Sequence, residues 1–212
     1  MCGMTLFEFI CQEYGSNEPI LSSEISLQNY SRPWIYKQLN QLCEDGKLVR
    51  YEKGIYYIPT QTPFGQSLLN PRKVIERKYI SQGGEIVGYY SGMTFQNQLR
   101  LTTQMPNVIE LYTNKETTRV RNVYIGKQKV LLRRARTKIT TANVDVLSFL
   151  ELMNDLNPEM LDDEKKAIIT RFISDRKITR KDITTYAPVF PDRAMRTLIE
   201  SEVIYSVAQS AI

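Results

Sequence analysis

Apolar residues recur along the first sixty positions with helical and then strand-like spacing. In residues 5–14, Leu6, Phe9 and Ile10 share one face with Glu13, and Gly15-Ser16-Asn17 then stops the helix. Pro19-Ile20-Leu21 reads as a short extended lead-in. Ser22 or Ser23 is placed to N-cap a second short helix carrying Glu24 and Ile25, closed by a Gln28-Asn29-Tyr30 turn. The third helix is the strongest signal. Ser31 is its N-cap, Pro33 sits in the first turn where a missing N–H costs nothing, Ile35, Leu39 and Leu42 form an i, i+4, i+7 stripe, and Gly46 ends it after Asp45. Residues 47–51 and 55–58 are β-type runs joined by Glu52-Lys53-Gly54, and Pro59 closes the second. Three helices followed by a hairpin predict a winged helix-turn-helix, in which the third helix enters the major groove and the wing lies along the backbone.

Residues 60–65, TQTPFG, form a turn-rich connector, so the sequence predicts a first domain over 1–62 and a second over 63–212. The second opens with a helix from Asn70 and Pro71 to Ser81 carrying Val74, Ile75, Lys78 and Tyr79. A strand over 85–90, a short helix after Ser91-Gly92 holding Phe95 and Leu99, and a strand over 108–113 follow. Strands over 119–125 and 129–134 make a hairpin about Gly126. Past residue 140 the pattern is helical: Val146, Leu147, Leu150 and Met153; then Leu161, Ile168, Ile169 and Phe172; then Met195, Leu198 and Ile199. The expected fold class is α+β, an N-terminal winged helix-turn-helix followed by a mixed α/β domain to about residue 140 and a helical bundle over 141–212 that buries the sheet. Residues 178–183 and 190–204, with Pro191 opening the last helix, faintly echo the first helix-turn-helix, and plain packing is the preferred reading of them.

Composition narrows the chemistry. The 212 residues contain no histidine, which removes the usual general base and the commonest metal ligand. Cys2, Cys11 and Cys43 are odd in number and lack C-x-x-C spacing, so reduced thiols are expected rather than disulfides or zinc. No apolar run approaches the roughly 18 residues of a membrane span. The N-terminus lacks a basic region before an apolar stretch, and a cytoplasmic protein without membrane contact is expected. The net charge of +5 is unevenly spread. Residues 1–70 carry five Lys/Arg against seven Asp/Glu (−2), residues 71–140 fourteen against four (+10), and residues 141–212 nine against twelve (−3). Concentrated positive charge suits a polyanion, because each Lys or Arg set against a phosphate releases counterions; a solvated basic face is the alternative.

With Ile35, Leu39 and Leu42 inward, Lys37 and Asn40 turn outward, flanked by Trp34, Tyr36 and Gln41. Asn40 and Gln41 suit base edges and Lys37 a phosphate or guanine. Ser31, Arg32, Arg50, Tyr51 and Lys53 complete the expected DNA-binding set. Trp34 and Tyr36 have a second reading as packing residues, and Arg50, Tyr51 and Lys53 as edge-strand protection. Arg72, Lys73, Arg77, Lys78, Arg119, Arg121, Lys127, Lys129, Arg133, Arg134, Arg136 and Lys138 form the expected phosphate-contacting or antitoxin surface. No catalytic residue, metal or cofactor is expected. A carboxylate–lysine nuclease using Glu85, Glu110 and Lys129 is the enzymatic alternative, and a protein-docking adaptor with an exposed Trp34, Tyr36 and Tyr51 patch is the other.

Two successive motifs carry a resemblance. Leu39-x-x-Leu42-x-x-x-Gly46-x-Leu48-x-Arg50 with Lys53-Gly54-Ile55-Tyr56-Tyr57-x-Pro59 resembles the winged helix of the AbiEi-type antitoxins. Ser91-Gly92-Met93-Thr94-Phe95-x-Asn97-x-Leu99-x-Leu101-Thr102-Thr103-Gln104-Met105-Pro106, continued by Val123-Tyr124-Ile125-Gly126, resembles that family's second domain. The match covers most of residues 1–140; the family's basic surface maps onto the hairpin arginines by charge alone. The resemblance implies a DNA-binding transcriptional autorepressor and antitoxin of a type IV toxin-antitoxin (abortive infection, phage defence) system. Its implied partners are double-stranded operator DNA with inverted repeats and a nucleotidyltransferase-like toxin, antagonised without a required direct complex.

Overall fold

The computed structural model describes residues 4–27 and 30–209 of a mixed α+β chain that divides into two compact units, Met1–Lys78 and Tyr79–Ile212. Residues 63–78, which the turn-rich connector assigns to the second domain, belong to the first unit. Cys2, Gln28 and Asn29, expected as a reduced thiol and as turn residues, lie outside the described residues. No helix among the described residues is long and apolar enough to cross a membrane.

In the first unit, helix α1 (Leu6–Glu13) starts on a reciprocal cap: the Thr5 hydroxyl accepts the Glu8 N–H while the Glu8 carboxylate accepts that of Thr5. The strand β1 (Ile20–Leu21) leads to helix α2 (Arg32–Glu44), capped by Ser31 with Pro33 in its first turn. Ile35, Leu39 and Leu42 are buried against Leu6, Ile10, Ile20, Ile25, Leu48 and Tyr56, each such aliphatic side chain contributing about 1.5–3 kcal/mol of transfer free energy. Gly46, at φ +71°, ends the helix, and the Gly46 and Lys47 N–H groups return to the carbonyls of Cys43 and Leu42. Strands β2 (Val49–Glu52) and β3 (Ile55–Tyr57) pair antiparallel, and β1 adds to the other edge of β3, giving the order β1-β3-β2. The register breaks between Arg50 and Glu52, leaving Tyr51 bulged. A small hairpin of β4 (Gln61–Thr62) and β5 (Gly65–Gln66) and helix α3 (Pro71–Ile75), continued by a π-helical turn over Glu76–Ile80, follow.

The short second helix expected from Ser22 or Ser23 is not formed; residues 22–24 are a turn and 25–27 are irregular. The cause lies outside that segment. Arg32 Nη1 donates to the carbonyls of Ser22 (2.9 Å) and Ile25 (3.0 Å), and Nη2 to that of Ser23 (3.0 Å), so acceptors that a helix would turn inward are held by a guanidinium.

In the second unit, β6 (Ser81–Gln82) and β7 (Glu85–Ile86) form a hairpin, while β8 (Gly88–Tyr90) joins a separate sheet. The strand expected over 85–90 is thus broken at Val87, whose carbonyl accepts from the Asn114 N–H and the Thr113 hydroxyl. Gly88 lies so close to the Tyr79 and Tyr112 carbonyls that a Cβ there would sit 2.1 and 2.7 Å from their oxygens. Helix α4 (Gly92–Gln98) leads to β9 (Val108–Thr113), β10 (Val120–Ile125) and β11 (Gln128–Arg134). The sheet order is β10-β11-β9-β8, with β11 parallel to β9 and the other pairs antiparallel. Helices α5 (Val144–Asp155), α6 (Asp163–Asp175), α7 (Arg180–Tyr186), α8 (Asp192–Glu200) and α9 (Ile204–Gln209) complete it. Their buried side chains, among them Phe149, Leu150, Met153, Ile169, Ile173 and Leu198, form one core with Tyr89 and Tyr112 of the sheet.

Candidate functional site

A cleft of about 510 Å³ opens in the first unit between α2 and the β2–β3 hairpin. Tyr36 and Asn40 reach it from α2, Arg50, Lys53 and Gly54 from the hairpin, Ser22 and Ser23 from the turn, and Lys78 from the π-helical turn. Tyr36, Lys37, Asn40 and Gln41 are exposed because they lie opposite the Ile35-Leu39-Leu42 stripe. Gln41 donates to the Asp45 carboxylate at 3.1 Å. Arg50 and Lys53 are exposed, Lys53 beside Gly54, whose φ of +81° lets the hairpin reverse tightly. Helix and hairpin side chains separated by ten or more residues in sequence thus face one volume.

Other expected contacts are placed differently. Ser31 is spent on its cap and Arg32 on the three carbonyls. Trp34 is half-buried, stacked on Tyr30 with ring centroids 4.0 Å apart and packed against the core. Tyr51 is half-buried, its hydroxyl enclosed without a hydrogen-bond partner among the described residues.

The basic residues also divide. In the first unit Arg72 is exposed, Lys73 pairs with Glu18, Arg77 with Glu24 at 2.5 Å and Lys78 with Glu52 at 2.8 Å. In the second, Arg121 pairs with the buried Glu116 at 2.8 Å, Arg133 with Glu110 at 3.3 Å and Arg136 with the buried Glu151 at 2.8 Å. Arg119, Lys127, Arg134 and Lys138 are exposed, and Lys129 is partly covered. The alternative nuclease set is split: Glu85 is on the β6–β7 hairpin, whereas Glu110 and Lys129 are on β9 and β11. Among the described residues no group of three or more His, Cys, Asp or Glu is placed to hold a metal ion. Cys11 and Cys43 are free thiols.

A second site, missed in the sequence, is a polar pocket of about 260 Å³ in the second unit. Glu110 and Tyr112 of β9, Arg133 of β11, Arg136, the Ser91-Gly92 segment, and Glu151, Asn154 and Asp155 at the end of α5 line it. Glu151 is 2% exposed and accepts from Arg136 Nε (2.8 Å) and Nη2 (3.1 Å), the Tyr112 hydroxyl (3.1 Å) and Asn154 (3.2 Å). Burial and the neighbouring Glu151 push the Tyr112 hydroxyl up to about 12, and the hydrogen bonds to Glu151 hold Arg136 protonated. The sequence signal was a carboxylate, Glu151, inside the apolar run of α5, with Asp155 one turn further on.

Asp155 is exposed, yet its carboxyl turns to the pocket wall, where it is desolvated and repelled by Glu151, and its pKa rises to about 6 although the Gly92 N–H donates to it. An aspartate otherwise ionises near 3.8. In the folded chain protons are therefore retained to higher pH than in the unfolded one, so Asp155 lowers stability as pH rises through that interval, and the loss is complete above pH 6. Solvent at its exposed edge limits the size. Thermal melts of Asp155→Asn, which removes the ionisation, should match wild type near pH 4 and lie above it at pH 7.5; parallel curves at both pH values would contradict the shift.

A search of curated proteins returned no match to the sequence. The residues from 21 to 182 match one family model, which takes in the hairpin, the four-stranded sheet and the pocket, and the chain therefore belongs to DUF6088, a family of unknown function.

Proposed function

We propose that the chain is a transcriptional autorepressor whose first unit reads duplex DNA as a winged helix-turn-helix, and that it serves as the antitoxin of a type IV toxin-antitoxin system. The observation that carries the DNA reading is the cleft in which Tyr36 and Asn40 of α2 face Arg50 and Lys53 of the hairpin. Asn40 presents an amide suited to the adenine N6/N7 edge, and Arg50 and Lys53 suit the phosphates flanking a groove. A β2–β3 hairpin directly after α2, paired through β3 with β1, supports the wing reading, with a turn held by Arg32 where a second helix is expected. Exposed Lys37 and Asn40, with Trp34 half-buried against Tyr30, favour a DNA reader over a protein-docking face. The antitoxin role rests on the two successive motifs resembling the AbiEi-type antitoxins, the second of which begins at the Ser91-Gly92 segment.

The test is a reporter driven by the region upstream of the chain's own gene. Expression of the chain should lower its output, Asn40→Ala should restore it, and co-expression should rescue cells from a neighbouring nucleotidyltransferase-like toxin. Unchanged output would remove the repressor reading, and absence of rescue the antitoxin one.

A further inference from the structure

Charges in the polar pocket of the second unit do not balance. Arg136 is matched to Glu151, and Arg133 to Glu110, leaving Asp155 as a third carboxyl, to which the Gly92 N–H donates at 3.2 Å. Glu151 already accepts four hydrogen bonds and has little capacity left. Ser91, which also lines the pocket, is 3% exposed, and its hydroxyl has no partner among the described residues. An enclosed hydroxyl without a partner is destabilising, and a ligand in the pocket would remove that cost.

These unmatched groups converge on one peptide. Gly92 donates its N–H to Asp155, and a Cβ on Gly92 would lie 2.8 Å from the Glu110 carboxyl carbon and Oε1, so both carboxylates flank this residue and Ser91 directly precedes it. Any side chain at position 92 would fill the space in front of Glu110, and its φ of +55° independently favours glycine.

We propose that this pocket is a binding site for a small primary amine, whose ammonium group donates to Asp155, Glu110 and the Ser91 hydroxyl. An ammonium has three donors and no acceptor, which matches three acceptors and one surplus negative charge. A metal ion fits less well, because it needs several converging oxygen ligands and no metal-holding set is present among the described residues. A space of about 260 Å³ takes an amine of a few carbons. Burial and the neighbouring Glu151 raise the Asp155 carboxyl, and an ammonium beside it would offset both.

The same chemistry could be supplied by a free amine or by a lysine side chain of a partner protein, and the probes separate these. The full chain is titrated with butylamine, with a blocked lysine peptide and with tetramethylammonium, following the Gly92 amide by NMR and binding by calorimetry. Butylamine is expected to bind and shift Gly92, and tetramethylammonium, equally charged but without N–H donors, to do neither. Asp155→Asn and Ser91→Ala should each weaken butylamine about tenfold or more, as loss of a hydrogen bond to a charged group does. Binding of the peptide in preference to butylamine would identify a protein lysine as the source. No shift with either amine, equal binding of tetramethylammonium, or unaltered affinity in both folded variants would overturn the proposal. None of these outcomes bears on DNA binding, which uses side chains of the first unit.

Discussion

Glu151→Ala is expected to destabilise the second unit by about 2–3 kcal/mol, less than the ~3–5 kcal/mol of stranding one partner of a fully buried ion pair, because the Arg136 guanidinium keeps contact with solvent. Glu151 is 2% exposed, and its carboxylate is the common acceptor for Arg136, Tyr112 and Asn154. Its removal leaves a guanidinium whose side chain is 27% exposed, enclosed by the Tyr112 and Phe190 rings at 5.6 and 5.2 Å, without its counter-charge. It also leaves the Tyr112 hydroxyl without its acceptor, in a ring stacked on Tyr89 at 5.4 Å. Removing both charges by Glu151→Leu with Arg136→Met should cost much less than Glu151→Ala, because no charge is then left unpaired. Urea unfolding followed by near-ultraviolet circular dichroism of the tyrosines measures both. A destabilisation below about 1 kcal/mol for Glu151→Ala would show that water replaces the carboxylate and that the network does not anchor α5 to the sheet.

The second large effect concerns the cleft. Arg50→Ala with Lys53→Ala should reduce the salt dependence of DNA binding by about 1.8 in the slope of log K against log salt, about 0.9 for each phosphate no longer neutralised. It should weaken operator and random duplexes alike, since phosphates carry no sequence. Asn40→Ala should leave the slope unchanged and cost the operator alone about 1–3 kcal/mol, the value of a bidentate base pairing. Arg72→Ala, at an exposed residue that does not line the cleft, serves as the comparison for a general loss of positive charge. If the double variant weakened binding no more than Arg72→Ala, the hairpin would not be a phosphate-binding element. Fluorescence anisotropy of labelled duplexes over a salt series reads all four proteins.

Where the determinants are local, the sequence was sufficient. Ser31, Pro33, the Ile35-Leu39-Leu42 stripe and Gly46 specify α2 within its own length, and the alternating runs about Lys53-Gly54 specify the hairpin. The cleft residues Tyr36, Asn40, Arg50 and Lys53 were legible for the same reason, since burying one face of a helix fixes the other. Long-range chemistry was not legible. Ser22-Ser23 has helix-capping chemistry, but Arg32, ten positions away, takes its carbonyls. Arg121, Arg133 and Arg136 read in sequence as a basic surface, whereas each meets a carboxylate in the folded unit. Parallel pairing of β11 with β9 brings Glu110 to Arg133, and packing of α5 on the sheet brings Glu151 to Arg136. The polar pocket was hidden because its residues come from four separate stretches of the second unit, and no spacing rule links Ser91 to Asp155.

The most direct test of the central claim is the affinity of the full chain for a duplex from the region upstream of its own gene, against a shuffled duplex of equal composition, at two salt concentrations. An operator reader should prefer the upstream duplex by about 10³-fold or more, with both affinities falling steeply as salt rises. Equal affinities for the two duplexes at both salt concentrations would contradict sequence-specific recognition, and with it the repressor.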